Sequence, residues 1–202
     1  MPLTSSLLAI SDRASLAIPM ADWLAALGEA GIGAVQIREK DLDDRDLHDL
    51  ARLARTVLPP ATRLVINGRL DVALAAGADG VHLPADGVPV GALRARFGAG
   101  VLIGRSTHTV EEVERARNEG ADYVTFGPVF PTPGKGAPVG LEGLARAAAV
   151  GVPVLALGGV TLERLEELAR AGAAGAAAIR LFQSTQDLTE VARTAREVFG
   201  RA

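Results

Sequence analysis

The sequence contains no cysteine. Disulfides, zinc fingers, iron–sulfur clusters and thiol catalysis are therefore excluded together. No run approaches the roughly 18 apolar residues of a membrane span. The first stretch, MPLTSSLLAISDR, has no basic segment ahead of its short apolar run. Neither a secretory leader nor a membrane anchor is expected, and a cytoplasmic protein is the default. An excess of charge is missing too: 21 basic and 24 acidic residues leave a net charge of -3, which gives no reason to expect nucleic acid or an anionic membrane as partner. A G-x-G-x-x-G turn of the dinucleotide type is absent, as are linkers and low-complexity stretches. Lysine is nearly absent: 19 of the 21 basic residues are Arg, leaving Lys40 and Lys135 alone. A chain that almost always uses Arg makes each retained Lys informative.

What is present fits one domain over residues 1–202. Hydrophobic residues make up 49%, much of it Ala beside β-branched runs. That mixture suits a buried parallel sheet under Ala-rich helices. Short apolar runs predict strands at 7–11, 34–38, 63–67, 80–83, 101–105, 123–127, 153–158 and 176–180. Between them, segments of helical period predict helices, including ADWLAALGEAG, DLHDLARLARTV, VGALRARFG, VEEVERARNEG, LEGLARAAAVG and LERLEELARAG. The last places Leu162, Leu165, Leu168 and Ala169 on one face. A weak repeat supports the alternation: GEAGIGAVQIR, AAGADGVHL, NEGADYVTFG and RAGAAGAAAIR each run from a helix end through Gly into a strand, the Gly supplying the left-handed turn. Eight strand–helix units at about 25 residues each predict an α/β fold, a (βα)8 TIM barrel.

In such a barrel the active site lies at the C-terminal ends of the strands, and the polar residues gather there. Strand 1 is followed by Ser11, Asp12 and Arg13. Strand 2 leads into Gln36, Arg38 and Lys40, whose alternation predicts one shared face and a phosphate or diphosphate site; a solvated charged loop is the competing reading. Strand 3 ends in Asn67. His82 alternates with apolar neighbours and reads as an interior histidine, and His48 as a surface one. Strand 5 gives Arg105, Ser106 and Thr107, followed by His108 on the rim, a candidate acid–base. Thr109 and Glu112 form a capping-box pattern for the next helix. The loop GPVFPTPGKGAPVG carries Thr132, Pro133, Gly134 and Lys135. Gly158 and Gly159 after strand 7, with the end of strand 8 at Ile179 and Arg180, match the usual barrel phosphate position; a plain turn is the competing reading of the two glycines.

The strings AVQIREK, LVINGRLDVALAAGADGVHL, IGRSTHT, YVTFGPVFPTPGKGAPVGLEGL and LALGGV, in that order, resemble the thiamine phosphate synthase / TenI superfamily along nearly the whole chain. The resemblance implies a small-molecule phosphate substrate and one of two activities. The synthase joins a hydroxymethylpyrimidine diphosphate to a thiazole phosphate with Mg²⁺. The TenI-type tautomerase aromatises a carboxythiazole phosphate by moving a proton without a metal. By the same resemblance Gln36, Arg38, Lys40, Asn67, Ser106 and Lys135 match pyrimidine diphosphate positions. Thr132, Gly159, Ile179 and Arg180 match thiazole phosphate positions, and His108 matches the tautomerase's proton-transfer histidine.

Departures from the family pattern favour the tautomerase. Synthases carry Asp after the Asn of strand 3 and in G-Q-E-D after strand 4, and these two aspartates hold Mg²⁺. Here Gly68 and Gly87 stand in their places, with Asp71 and Asp86 nearby as candidates for a displaced site. The usual T-x-T-K reads Thr132-Pro133-Gly134-Lys135, and Arg180 replaces a serine. The expectation is a metal-independent isomerase with no cofactor and with His108 and Lys135 catalytic. A Mg²⁺-dependent transferase and a non-catalytic ligand-binding or regulatory barrel are the alternatives. A homodimer is left open.

Overall fold

The structure, a computed structural model, describes residues 5–184 and 187–200. Residues 1–4, which open the stretch weighed as a leader, lie outside the described residues. Eight strands, β1 (Leu7–Ile10), β2 (Ala34–Ile37), β3 (Arg63–Asn67), β4 (Gly80–Leu83), β5 (Leu102–Thr107), β6 (Tyr123–Phe126), β7 (Val154–Leu157) and β8 (Gly175–Ala178), pair in parallel in chain order and close β8 onto β1. The predicted barrel is the observed one.

The helices form the outer ring: α1 (Met20–Glu29), α2 (Asp44–Val57), α3 (Leu70–Ala76), α4 (Val90–Phe97), α5 (Val110–Asn118), α6 (Gly140–Ala148), α7 (Leu165–Arg170), α8 (Arg180–Ser184) and α9 (Leu188–Phe199). In α7, Leu165 and Leu168 are fully buried, while Ala169 and, in the turn before the helix, Leu162 pack beside them. The repeat has a backbone cause. Gly31, Gly77, Gly120 and Gly172 all carry positive φ, between 73° and 87°, where a side chain would be strained. In two repeats the following Asp serves the sheet as well. Asp79 and Asp122 accept from the backbone N–H of Leu64 and Ile103, and each is also bonded by an Arg, Arg63 and Arg94 respectively.

Two apolar layers result. The larger fills the space between sheet and helices. The smaller lies inside the barrel and contains Leu8, Ile10, Ala34, Val65, Leu102, Tyr123, Leu155 and Ala177. Because alternate strand residues point inward, this inner set fixes which residues come next at the mouth: Gln36, Asn67, Ser106 and Thr125 on β2, β3, β5 and β6, and Leu157 and Ile179 at β7 and β8.

Several boundaries differ from the sequence reading. β5 continues through Ser106 and Thr107, because they pair with Thr125 and Phe126 of β6. β8 stops at Ala178, so Ile179 lies in the connection and Arg180 opens α8. The helices at 70–76, 180–184 and 188–199 were not among those read from the period. The first two are seven and five residues long, too short to display an apolar stripe.

Candidate active site

The polar residues expected at the strand ends do converge on one mouth, but they divide into distinct groups. On the β2–β3 side, Gln36 is only 1% exposed and its Nε2 donates to Asn67 Oδ1 at 3.1 Å. Its Oε1 is buried with no partner among the described residues. A buried amide oxygen without a donor is costly, so this atom is positioned to accept from a ligand.

The strand alternation expected to carry Gln36, Arg38 and Lys40 onto one face does not extend that far. β2 ends at Ile37, and Lys40 lies in the turn that follows. Arg38 stays near the mouth: its backbone N–H donates to Ser11 Oγ, and its charge acts on His82 in the barrel interior. Lys40 instead lines a 370 Å³ cleft with Glu39, Asn67, Gly68 and Arg69. Glu39 is buried between them, accepting from the Ser11 hydroxyl and from the Arg13 N–H. That carboxylate draws Ser11 and Arg13 into a structural bond set.

Gly68 and Gly87, the positions the resemblance marks for metal ligands, have no side-chain donor. Gly68 has φ +70°, and a Cβ on Gly87 would lie 3.0 Å from Pro84 Cδ. Both loops are thus shaped around glycine. Asp71, the nearby alternative, is gripped by Arg69 through Nε–Oδ1 at 3.0 Å and a second bond at 2.7 Å, while Asp44 bonds the same guanidinium. These hydrogen bonds hold both carboxyls below the usual carboxylate range. Asp86 is exposed in the loop after β4. Among the described residues no group of three or more His, Asp or Glu side chains could hold a metal ion. The donor set does not fit a two-carboxylate Mg²⁺ site.

On the opposite side His108 stands exposed just beyond β5. Its Nδ1 lies 2.6 Å from the carbonyl of Gly127. A carbonyl can only accept, so Nδ1 carries the hydrogen, and in the neutral ring Nε2 is left with its lone pair. The backbone here is fixed by the predicted capping box, with the Thr109 hydroxyl accepting from the Glu112 N–H and Glu112 bonding the N–H of His108 and Thr109. His48, by contrast, lies on α2 beside Asp49, away from the mouth.

Gly127 leads into the Lys135 loop, whose entering end is tied to the end of β7 and whose exit end is tied back to the entering end. Val129 and Phe130 donate backbone N–H groups to Leu157 and Gly158, and Val139 and Gly140 return to Pro128 and Val129. The tip between them, including Pro133, Gly134 and Lys135, is exposed. Thr132 turns inward, donating to the Phe130 carbonyl.

Gly158 and Gly159 have φ +94° and +65°. A Cβ on Gly158 would approach Pro128 Cα to 2.6 Å, and one on Gly159 would approach Phe130 Cβ to 2.6 Å. Their backbone therefore lies flat against the Lys135 loop. Arg164 secures this contact: it donates to the Gly159 carbonyl at 2.6 Å, and its guanidinium carbon lies 4.2 Å from the Phe130 ring centroid. The sequence reading did not include Arg164 or Phe130. Ile179 packs against the inner core, and Arg180 is exposed at the head of α8.

One mouth thus combines a buried amide, a rim histidine and a turn of two positive-φ glycines. In a (βα)8 barrel this is the end at which active sites lie. The chain belongs to the thiamine monophosphate synthase family, whose model matches residues 7–182. It is 44% identical to the putative thiamine-phosphate synthase of Geobacter sulfurreducens over 81% of this chain and 79% of that one. It is 43% identical to the thiamine-phosphate synthase of Methanoculleus marisnigri over 86% and 84%. A solved thiamine phosphate pyrophosphorylase from Pyrococcus furiosus superposes with a TM-score of 0.86 at 29% identity, over 98% and 97% of the two chains. Among the described residues no helix is long and apolar enough to cross a membrane.

Proposed function

We propose that this member of the family is a thiamine-pathway enzyme that acts on a thiazole phosphate by metal-independent proton transfer. One observation carries the reading: glycine occupies both metal positions in loops shaped around it, while the His108 ring is held with Nε2 as its acceptor. The substrate phosphate would bind at Gly158-Gly159 and at Ile179-Arg180, where the backbone allows close approach and Arg180 adds a cation. With the phosphate there, the ring rests against Leu157 and Ile179 on the mouth floor. His108 Nε2 removes the proton from the ring carbon of the non-aromatic tautomer. The resulting imidazolium returns a proton at the position that completes the aromatic ring, so atoms balance and no cofactor is consumed. Lys135, on the exposed tip of its tied loop, supplies a compact ammonium to the anion. An Arg there would be bulkier beside the ring, which accounts for the retention of Lys.

A second reading is transfer between hydroxymethylpyrimidine diphosphate and thiazole phosphate. It is supported by the synthase names of the relatives and by the Gln36–Asn67 pair with its unpartnered Oε1. On names alone the transferase is favoured over the isomerase. The deciding experiment is to incubate the pure protein with the carboxythiazole phosphate tautomer, and separately with the two synthase substrates, each with and without Mg²⁺. Tautomerisation that persists in EDTA supports the first reading. Thiamine phosphate formed at an ordinary turnover of roughly 1–10 s⁻¹ replaces it with the second.

A further inference from the structure

Below the mouth, three polar side chains from three strands form a line inside the barrel. Tyr123 of β6 is fully buried and its hydroxyl is 3.0 Å from His82 Nδ1. His82 Nε2 is 3.0 Å from Ser106 Oγ of β5, with Thr125 Oγ1 farther away at 3.4 Å. A place has been left for this line. A Cβ on Gly104 would lie 2.2 Å from the Tyr123 ring, 2.5 Å from its oxygen and 2.6 Å from His82 Nδ1. Ser106 is the last inward residue of β5 and is half-buried at the mouth floor.

Hydrogen counting gives the line a direction. Burial raises the affinity of the Tyr123 hydroxyl for its proton and keeps His82 neutral, the latter helped by the charges of Arg105 and Arg38. Neutral imidazole has one N–H. Among the described residues His82 Nδ1 is the acceptor the structure gives to the Tyr123 O–H. If Tyr123 donates to Nδ1, the ring hydrogen sits on Nε2 and is donated to Ser106 Oγ. The serine oxygen then accepts from below, and its own hydrogen is left for the mouth. The opposite tautomer would leave the buried tyrosine O–H with no acceptor, a penalty of about 1–3 kcal/mol, several-fold to more than a hundredfold in population.

We propose that Tyr123 and His82 are positioning residues that fix Ser106 as a hydrogen-bond donor to an anionic acceptor bound at the mouth floor. Ser106 then cannot be deprotonated by His82, since Nε2 already carries a hydrogen. The donor role rests on the reading proposed above, whose substrate carries a carboxylate besides the phosphate held at β7 and β8; the tautomer does not.

The test begins with the free protein. In ¹⁵N-labelled wild type, long-range ¹H–¹⁵N spectra should show His82 Nε2 protonated and Nδ1 bare. Tyr123→Phe, which keeps the ring and its packing, should turn this single form into a mixture. A proton on Nδ1 in the wild type, or an unchanged pure Nε2–H form in the variant, overturns the proposal. The kinetic arm uses whichever reaction the substrate assays reveal. Ser106→Ala and Tyr123→Phe should each raise KM by roughly 2- to 10-fold, the value of one hydrogen bond, with little change in kcat. Unchanged KM in both overturns the donor role. The spectra report on the tautomer whichever substrate the barrel proves to use, so failure of the functional reading is seen separately.

Discussion

His108 donates from Nδ1 to the carbonyl of Gly127 at 2.6 Å, and the residue after Gly127, Pro128, is the one that Gly158 packs against. The same strip of backbone therefore orients the rim imidazole and supports the Gly158-Gly159 turn. His108→Ala should lower tautomerisation by roughly 10²–10⁴-fold, the usual range for losing a general acid–base. Because Gly159 and Arg180 are untouched, the substrate KM should change much less. A variant that keeps full kcat would remove His108 from the chemistry.

Metal dependence gives a second check. Asp71 is held by Arg69, and neither Gly68 nor Gly87 offers a side-chain oxygen. EDTA should leave the reaction rate unchanged, and Asp71→Asn should not alter the response to added Mg²⁺. Since the Asp71 carboxylate is 68% exposed, losing its ion pair should cost at most about 1 kcal/mol, read as a small change in urea midpoint. A rate that collapses in EDTA and is further impaired by Asp71→Asn or Asp86→Asn would identify a displaced metal site.

Burial also predicts a pH signature. The His82 pKa is pushed from 6.5 down to about 3, mainly by desolvation and further by Arg105 and Arg38. The unfolded chain therefore binds a proton near pH 6.5 that the native state refuses until about pH 3. The sign follows: this contribution is fully present above pH 6.5 and is lost as pH falls toward 3, at up to about 1.4 kcal/mol per pH unit. His82→Gln should flatten the fall in stability across that window relative to wild type. Equal slopes in denaturant titrations of both proteins would show that His82 is not the group responsible.

Gly158→Ala is expected to be expensive for two reasons. Its φ of +94° is unfavourable for a side chain, and the new methyl would sit 2.6 Å from Pro128 Cα, an atom of the main chain. Strain of about 1–3 kcal/mol should lower the melting temperature by roughly 2–12 °C and weaken inorganic phosphate binding, measured by calorimetry. A variant with wild-type stability and phosphate affinity would mean that the turn can be rebuilt without its glycine.

Much of this was legible in the one-dimensional pattern. Apolar runs and helix-ending glycines specify the barrel because both report local backbone preference. Asn67, His108 and Gly159 could be placed because strand ends meet at one mouth in this fold. Arg164 could not be found this way: it lies in a helical turn after Gly158 and Gly159, and its contact depends on Phe130, 34 positions earlier, folding back beneath it. The Tyr123–His82–Ser106 line was equally hidden, since it exists only because Gly104 leaves room between strands. Lys40 shows the opposite error. Alternation holds only while the chain stays extended, and the strand stops at Ile37.

The mouth floor is not uniform. Gln36, Asn67, Ser106 and Thr125 make one side of it polar, while Ile10, Leu157 and Ile179 make the other greasy. For a flat ring with heteroatoms along one edge, such a floor is a keyed socket: turned by half a revolution, the ring would set its polar edge on hydrocarbon and its carbon edge on unmatched donors. Which edge of such a ring points to β2, β3, β5 and β6, and which to β7 and β8, is then decided before any reacting atom is touched.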